Sequence, residues 1–320
     1  MTASSRFTVR IGSARGHGDR LTEYELVAPD GSLLPEFTAG GHIDVFLPSG
    51  LVRQYSLSNP ESERHRYRIV VQLEEDGRGG SREMTECLRQ GESLEISQPR
   101  NNFPLDESAE RHLLIAGGIG ITPIMSMLYA LEARHAEFEL HYCTRSLERT
   151  AFRQELKPYV EGGVAGIYHD GGVPERGIPL DAVLGACTSD THVYFCGPQG
   201  MMQTIHWLVS DWSPGRVHHE SFAPPTASGP DPGFDEFSIQ IASTGKVFRV
   251  PADKSVVKVL EENGISVPTS CEAGVCGTCR VGVVSGIPDH RDFILDDDER
   301  ENQMCACCSR AKSPLLVLAL

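Results

Sequence analysis

Cys271-Glu-Ala-Gly-Val-Cys276-Gly-Thr-Cys279 spaces three thiols as Cys-x4-Cys-x2-Cys, and three more follow at Cys305, Cys307 and Cys308. That spacing is the plant-type ligand pattern for a [2Fe–2S] cluster. Two irons bridged by sulfides need four thiolates, and a loop that supplies three of them must curl tightly. Ala273, Gly274, Gly277 and Thr278 are small or flexible, and glycine reaches dihedrals that other residues avoid. Backbone N–H groups can then point at the sulfurs. Zinc sites favour Cys-x2-Cys pairs, often with histidine, so the x4 gap suits zinc poorly. Disulfides belong to secreted chains, and no signal peptide is visible at the N-terminus. For the fourth thiolate, Cys305, Cys307 and Cys308 stand with 25, 27 and 28 residues between them and Cys279, and spacing alone leaves the three open.

Outward from this loop the chain divides into segments. Residues 223–233, Ala-Pro-Pro-Thr-Ala-Ser-Gly-Pro-Asp-Pro-Gly, have no periodicity and are punctuated by Pro and Gly, which marks a linker. Its centre, 226–233, separates a domain ending near 225 from one spanning 234–320. In the latter, 237–241 and 246–250 read as a hairpin, 256–263 as a helix stopped by Gly264, and 281–284 and 315–318 as strands. A sheet crossed by one helix, with the metal loop at its edge, predicts an α+β ferredoxin of β-grasp type.

Residues 1–104 carry short strand-like runs at 7–11, 22–28, 42–47, 54–58, 67–72 and 93–97, with a helix at 81–90. Many short strands at this spacing predict an antiparallel β-barrel. Residues 105–225 alternate instead: strands at 112–116, 138–143 and 192–196, helices at 121–133, 149–156 and 201–209. That is the rhythm of a Rossmann-like α/β domain with a parallel sheet.

Four motifs carry chemistry. Gly117-Gly118-Ile-Gly120-Ile-Thr122-Pro123 joins a strand to a helix. Its glycines allow close backbone approach, and the helix N-terminus offers N–H groups to a pyrophosphate. Cys196-Gly197-Pro198 ends another apolar strand, so the two turns can line one crevice; Cys196 faces a nicotinamide ring there or is a small buried hydrophobe. Arg53-Gln-Tyr55-Ser56 places an arginine, an aromatic ring and a hydroxyl on a barrel strand, a set that serves a flavin through charge-assisted donors and ring packing. Gly77-Arg78-Gly79-Gly80-Ser81 precedes a helix; with Ser81 as N-cap, it makes a phosphate cradle.

With these motifs in order, the chain resembles the phthalate dioxygenase reductase family, which includes reductases of vanillate demethylase type. The markers are RQYSL at 53–57, GRGGS at 77–81, GGIGITPI at 117–124, YFCGPQGMM at 194–202, HHESF at 218–222, CEAGVCGTC at 271–279 and CCSRAK at 307–312. The resemblance implies a flavin barrel, an NAD domain and a [2Fe–2S] ferredoxin, with FMN rather than FAD. The tight phosphate motif at 77–81 agrees, and no place for an adenosine is evident. It implies flavin contacts from Arg53, Tyr55 and Ser56, phosphate contacts from Arg78, Gly80 and Ser81, and an aromatic at the flavin from Phe222. It favours Cys307 as fourth ligand beside Cys271, Cys276 and Cys279. It implies NADH as donor; Arg145 follows the second strand of the NAD domain, and Asp170 and Gly171 are candidate ribose-side residues.

The bulk numbers narrow the partners. A formal net charge of -15 argues against nucleic acid, which wants a basic surface. No apolar run approaches the ~18 residues that a membrane span requires. Ten cysteines beside a metal motif point to a reducing cytoplasm, with a monomer as the default. The expected activity is hydride transfer from NADH to FMN, then single electrons through the cluster to a terminal oxygenase of Rieske type, with no side chain needed as acid or base because the chemistry belongs to the cofactors. A haem acceptor such as a cytochrome P450 is the competing enzymatic reading, and an iron-sulfur redox sensor the non-enzymatic one. The acidic run Asp296-Asp297-Asp298-Glu299 is expected to cap a helix.

Overall fold

The computed structural model describes residues 6–75, 77, 79–222, 236–269, 272, 274–292 and 294–320. It has two compact units, Met1–Glu220 and Ser221–Leu320. The linker at 226–233 lies outside the described residues, as do Arg78 and Cys271.

The first unit begins with β1 (Arg6–Gly16), β2 (Leu21–Val27), β3 (His42–Phe46), β4 (Val52–Ser56), β5 (Tyr67–Gln72), helix α1 (Gly80–Cys87) and β6 (Ser93–Ser97). The strands pair antiparallel in the order β4-β3-β6-β1-β2-β5. All six expected strands are present, in a barrel-like sheet. Alternation puts Leu94 and Ile96 of β6 inside and Ser93 and Glu95 outside. Ile11, Leu26, Ile43, Val45 and Ile69 are sealed from solvent in the core they share. The Tyr24 hydroxyl donates to the Met84 carbonyl at 2.6 Å and fastens α1 to the barrel.

The α/β layer follows: β7 (Arg111–Gly117), α2 (Ile121–Ala133), β8 (Glu137–Thr144), α3 (Arg153–Glu161), β9 (Ala165–His169), α4 (Leu180–Gly185), β10 (Thr191–Cys196), α5 (Gln199–Leu208) and β11 (Val217–Glu220). All pairs are parallel, in the order β11-β10-β7-β8-β9. One face of the sheet, with Leu114, Ala116, Tyr194 and Cys196, packs on α2; the other, with Leu113, Ile115, Val193 and Phe195, packs on α4 and α5. The chain runs outward from β7 through β8 to β9, then returns to β7's other side as β10. Strand order therefore reverses between β7 and β10, and in open α/β sheets ligands bind outside the carboxyl ends at such a switch.

One helix starts later than the spacing predicts. The run 149–156 is expected to be helical, yet α3 begins at Arg153 because Phe152 sits at φ 56°, in the left-handed region. A tertiary contact holds it there: the Phe152 N–H donates to His17 Nε2 at 3.0 Å, and its buried ring meets His17 edge-on at 4.6 Å. Local propensity yields to that packing.

The second unit contains β12 (Phe237–Ile241), β13 (Val247–Val250), α6 (Val256–Glu262), β14 (Arg280–Ser285), β15 (Pro288–Asp289), α7 (Asp297–Arg300), β16 (Gln303–Cys305), β17 (Arg310–Ala311) and β18 (Leu315–Ala319). Its main sheet runs β13-β12-β18-β14-β16, with β18 parallel to β12 and central, the β-grasp pattern. Ser255 caps α6 by accepting from the Lys258 N–H at 3.2 Å. Val256, Val259 and Leu260 face the core. The acidic run caps α7 as expected: Asp296 and Glu299 form a reciprocal capping box.

Candidate functional site

The two glycine turns meet at the switch between β7 and β10. A Cβ on Gly120 would lie 2.2 Å from the Cys196 carbonyl oxygen and 2.9 Å from the Gly197 nitrogen. A Cβ on Gly117 would lie 2.5 Å from Pro198 Cδ, and one on Gly197 would lie 3.0 Å from the Gly117 Cα. At Gly120 backbone packs on backbone, while the Met201 side chain lies against Gly117 and Gly197, 2.3 Å from a Cβ on the latter. Gly118 takes φ 54°, which glycine tolerates without strain. The Thr122 hydroxyl donates to the Ile119 carbonyl at 3.0 Å, closing the turn ahead of α2. The sequence thus brings Gly117, Gly118, Gly120, Thr122, Cys196, Gly197 and Pro198 to one place, where the turn Gly118–Gly120 leads directly into α2 and its Ile121 N–H is bonded to the Gly118 carbonyl. Nearby strand ends carry Asp170, whose Oδ1 accepts from the Gly172 N–H at 2.7 Å, and the exposed Arg145.

On the barrel, Arg53, Tyr55 and Ser56 lie along β4. A Cβ on Gly80 would fall 2.3 Å from Arg53 Nε, so the glycine lets the guanidinium lie against the first residue of α1. A cation and the N-terminus of a helix thus stand side by side, a pairing that could hold an anion. The N-cap differs from expectation: it is Gly79 at φ 84°, while the Ser81 hydroxyl accepts from the Glu74 N–H at 3.1 Å and ties the loop shut. Burial holds the Tyr55 phenol well above its ordinary pKa. Phe222 is exposed and falls within the second unit.

The residue that sequence reasoning missed is Glu220. It ends β11, in register with Cys196 of β10. Its Oε2 accepts from Ser56 Oγ at 3.2 Å, and its Oε1 lies 3.8 Å from His42 Nδ1. Burial pushes its carboxyl from 4.5 up to about 8, the Ser56 hydrogen bond opposing. Cys196 is sealed from solvent, and its thiol is pushed far up by burial, with Glu220 adding to the effect. An acid, a hydroxyl and a thiol thus converge where the flavin strand meets the nucleotide turns. The signal was a glutamate inside HHESF, in a strand too polar to be read as one.

In the second unit, Gly274 and Gly277 take φ 72° and 68°. A Cβ on Gly274 would lie 2.5 Å from Cys308 Sγ, so the loop can curl only around a glycine. Cys279, Cys305 and Cys307 are buried and Cys308 is half-buried. The Cys276 thiol donates to Thr278 Oγ1 at 3.2 Å. This crowd of sulfurs on a glycine-curled loop fits a thiolate-held cluster.

Comparison with known proteins agrees. Residues 239–312 match the 2Fe-2S iron-sulfur cluster binding domain, and residues 114–206 the oxidoreductase NAD-binding domain. The vanillate O-demethylase oxidoreductase of Pseudomonas sp. (strain HR199 / DSM 7063) is 46% identical over 98% of this chain and 99% of its own. A solved phthalate dioxygenase reductase, described as a modular structure for electron transfer from pyridine nucleotides to [2Fe-2S], is 40% identical with a TM-score of 0.78, over 98% of both chains. The chain belongs to the phthalate dioxygenase reductase family. This reductase is an NADH-dependent oxidoreductase and the reductase component of an oxygenase system, with FMN, NADH and a [2Fe–2S] cluster as its cofactors. An intact type IV self-sufficient cytochrome P450 monooxygenase is also similar, 32% identical with a TM-score of 0.81, over 98% of this chain and 41% of its own. Among the described residues no helix is long and apolar enough to cross a membrane.

Proposed function

We propose that this reductase supplies a Rieske-type oxygenase acting on an aromatic acid, as a cytoplasmic monomer. The observation that carries the reading is the near full-length match, on both sides, to reductases named for vanillate and phthalate. The modules we assign are 1–104 for FMN, 105–225 for NADH, 226–233 as linker and 234–320 for the cluster. When bound, NADH supplies a hydride, FMN takes both electrons, and the cluster carries them onward one at a time.

The chain's own residues position these groups. Gly117, Gly118, Gly120, Thr122, Gly197 and Pro198 would hold the dinucleotide, with Cys196, its side chain sealed in the core, offering only backbone to it. Arg53, Tyr55 and Ser56 would hold the flavin, and Arg78, Gly80 and Ser81 its phosphate. Cys271, Cys276, Cys279 and Cys307 hold the irons. Reconstitution decides the acceptor: with a purified Rieske-type vanillate or phthalate oxygenase, NADH should support product formation at turnover well above that with a P450 haem domain. The opposite order would establish the haem reading, which the similarity to a self-sufficient P450 supports.

Glu220 makes a second expectation. Its folded carboxyl titrates near 8 and its ordinary value is 4.5. The native state therefore holds a proton that the unfolded chain has released between those values, and stability falls as pH rises through that window. A tenfold difference in proton affinity between folded and unfolded chains is worth about 1.4 kcal/mol, so the whole effect reaches a few kcal/mol at most. Thermal melts from pH 5 to 9 should show wild-type Tm declining relative to Glu220→Gln. Parallel Tm profiles would place the carboxyl pKa near its ordinary value.

A further inference from the structure

The α/β sheet carries a second group of side chains at the end opposite the nucleotide turns. His192 is the second residue of β10 and Cys196 the last, so the two lie about 13 Å apart along the strand. His218 of β11 stands beside Tyr194 in parallel register, on the same face. Asp106 lies in the segment that leads from the barrel into β7. One ligand atom from each of Asp106, His192 and His218 lies within 4.8 Å of the other two.

We propose that Asp106, His192 and His218 bind a divalent transition-metal ion. His192 Nδ1 and His218 Nε2 are 3.1 Å apart. Zn–N bonds of about 2.0–2.1 Å place two nitrogens of a tetrahedral site roughly 3.3 Å apart, so the imidazoles stand near the required spacing. Asp106 Oδ2 is 3.8 Å from His192 Nδ1 and closes the third corner with a small rotation. Two imidazoles and a carboxylate suit zinc, copper or nickel, with water completing the shell.

The groups behind these three hold them in place, as outer partners do at metal sites. Asp106 Oδ1 accepts from the Ser108 N–H at 2.8 Å and from its hydroxyl at 2.6 Å, which leaves Oδ2 toward the histidines. The Asp106 N–H donates to the Tyr194 hydroxyl at 2.8 Å. The His218 ring stacks on Tyr194 at 4.4 Å and 8°. The Asp106 side chain keeps 36% of its exposure and that of His192 14%, so an ion has a path in. Bound there, it would tie the inter-domain segment to β10 and β11. The flavin and nucleotide residues lie elsewhere, so the ion has no part in hydride transfer.

Zn2+ titrated calorimetrically into oxidised holoenzyme should show a site of one equivalent that His192→Gln and His218→Gln each weaken at least about a hundredfold, since even outer-shell losses cost 10–100-fold. NADH-driven flavin reduction should stay unchanged in both. Cu2+ bound to the wild type should give a paramagnetic resonance spectrum split by two nitrogens, and this decides the matter even where a variant fails to fold. Zinc binding unaltered in the folded variants, or a copper spectrum lacking nitrogen splitting, would overturn the site and leave a His–His hydrogen bond with a purely structural role.

Discussion

Cys276→Ser will abolish acceptor reduction while leaving the NADH–flavin half of the reductase intact. Cys276 sits between Gly274 and Gly277, both at positive φ. A hydroxyl is a poor substitute for a thiolate on iron, because soft sulfur ligands select such clusters. Losing an outer partner already costs 10–100-fold at metal sites, so losing a ligand should lower turnover with an oxygenase or cytochrome c at least about a hundredfold. Visible absorbance of the cluster should disappear, and the flavin should still bleach under NADH. The residues assigned to flavin and dinucleotide lie at or before Phe222, and the unit Met1–Glu220 is compact by itself. Acceptor turnover persisting at the wild-type rate would break the link between this loop and electron exit.

Gly120→Ala should be the most damaging single methyl group in the nucleotide domain. Its Cβ would meet the Cys196 carbonyl oxygen at 2.2 Å, the Cys196 carbonyl carbon at 2.5 Å and the Gly197 nitrogen at 2.9 Å. These are backbone atoms of the neighbouring turn, and they cannot swing aside as a side chain tip would. The two turns must part, and overpacking of this kind costs about 1–3 kcal/mol, sometimes more. For a unit of this size that lowers Tm by roughly 2–4 °C per kcal/mol. The KM for NADH should rise more than tenfold, with FMN retained. By contrast, Gly118→Ala meets no atom within 4 Å and suffers only from its φ of 54°. Equal losses in the two variants would mean that backbone strain, rather than contact between the turns, sets the requirement for glycine.

The contrast between those glycines shows where sequence reading succeeds. Spacing and residue type are local, and so the strands of the barrel, helix α2 and the turn at 117–123 were legible. Ser255 and Asp296 cap their helices as their chemistry suggests. What escaped depended on distant partners. Phe152 delays α3 because His17, far away in sequence, holds it in the left-handed region. Val217–Glu220 becomes a strand because β10 offers an edge, although its own residues include two histidines and a glutamate. Glu220 acquires its raised pKa only when the fold buries it against Ser56. Ser81 looks like a cap, but Gly79 already turns the chain, and the hydroxyl closes the preceding loop instead. The glycine and cysteine motifs were readable because their chemistry is held within a few residues. The acid between flavin strand and nucleotide turn was not.

The place of β18 has a consequence for biogenesis. It is the last strand in sequence and the central strand of its sheet, bonded to β12 on one side and β14 on the other. During synthesis the cysteine loop at 271–279 therefore emerges well before the strand that completes its scaffold. The unit Met1–Glu220 has all its strands by then and can fold on the ribosome, as domains generally do from the N-terminal side. The cluster unit must wait for residues 315–319. The loop stays without its closing strand through that interval, and losing that strand would split the sheet down its middle.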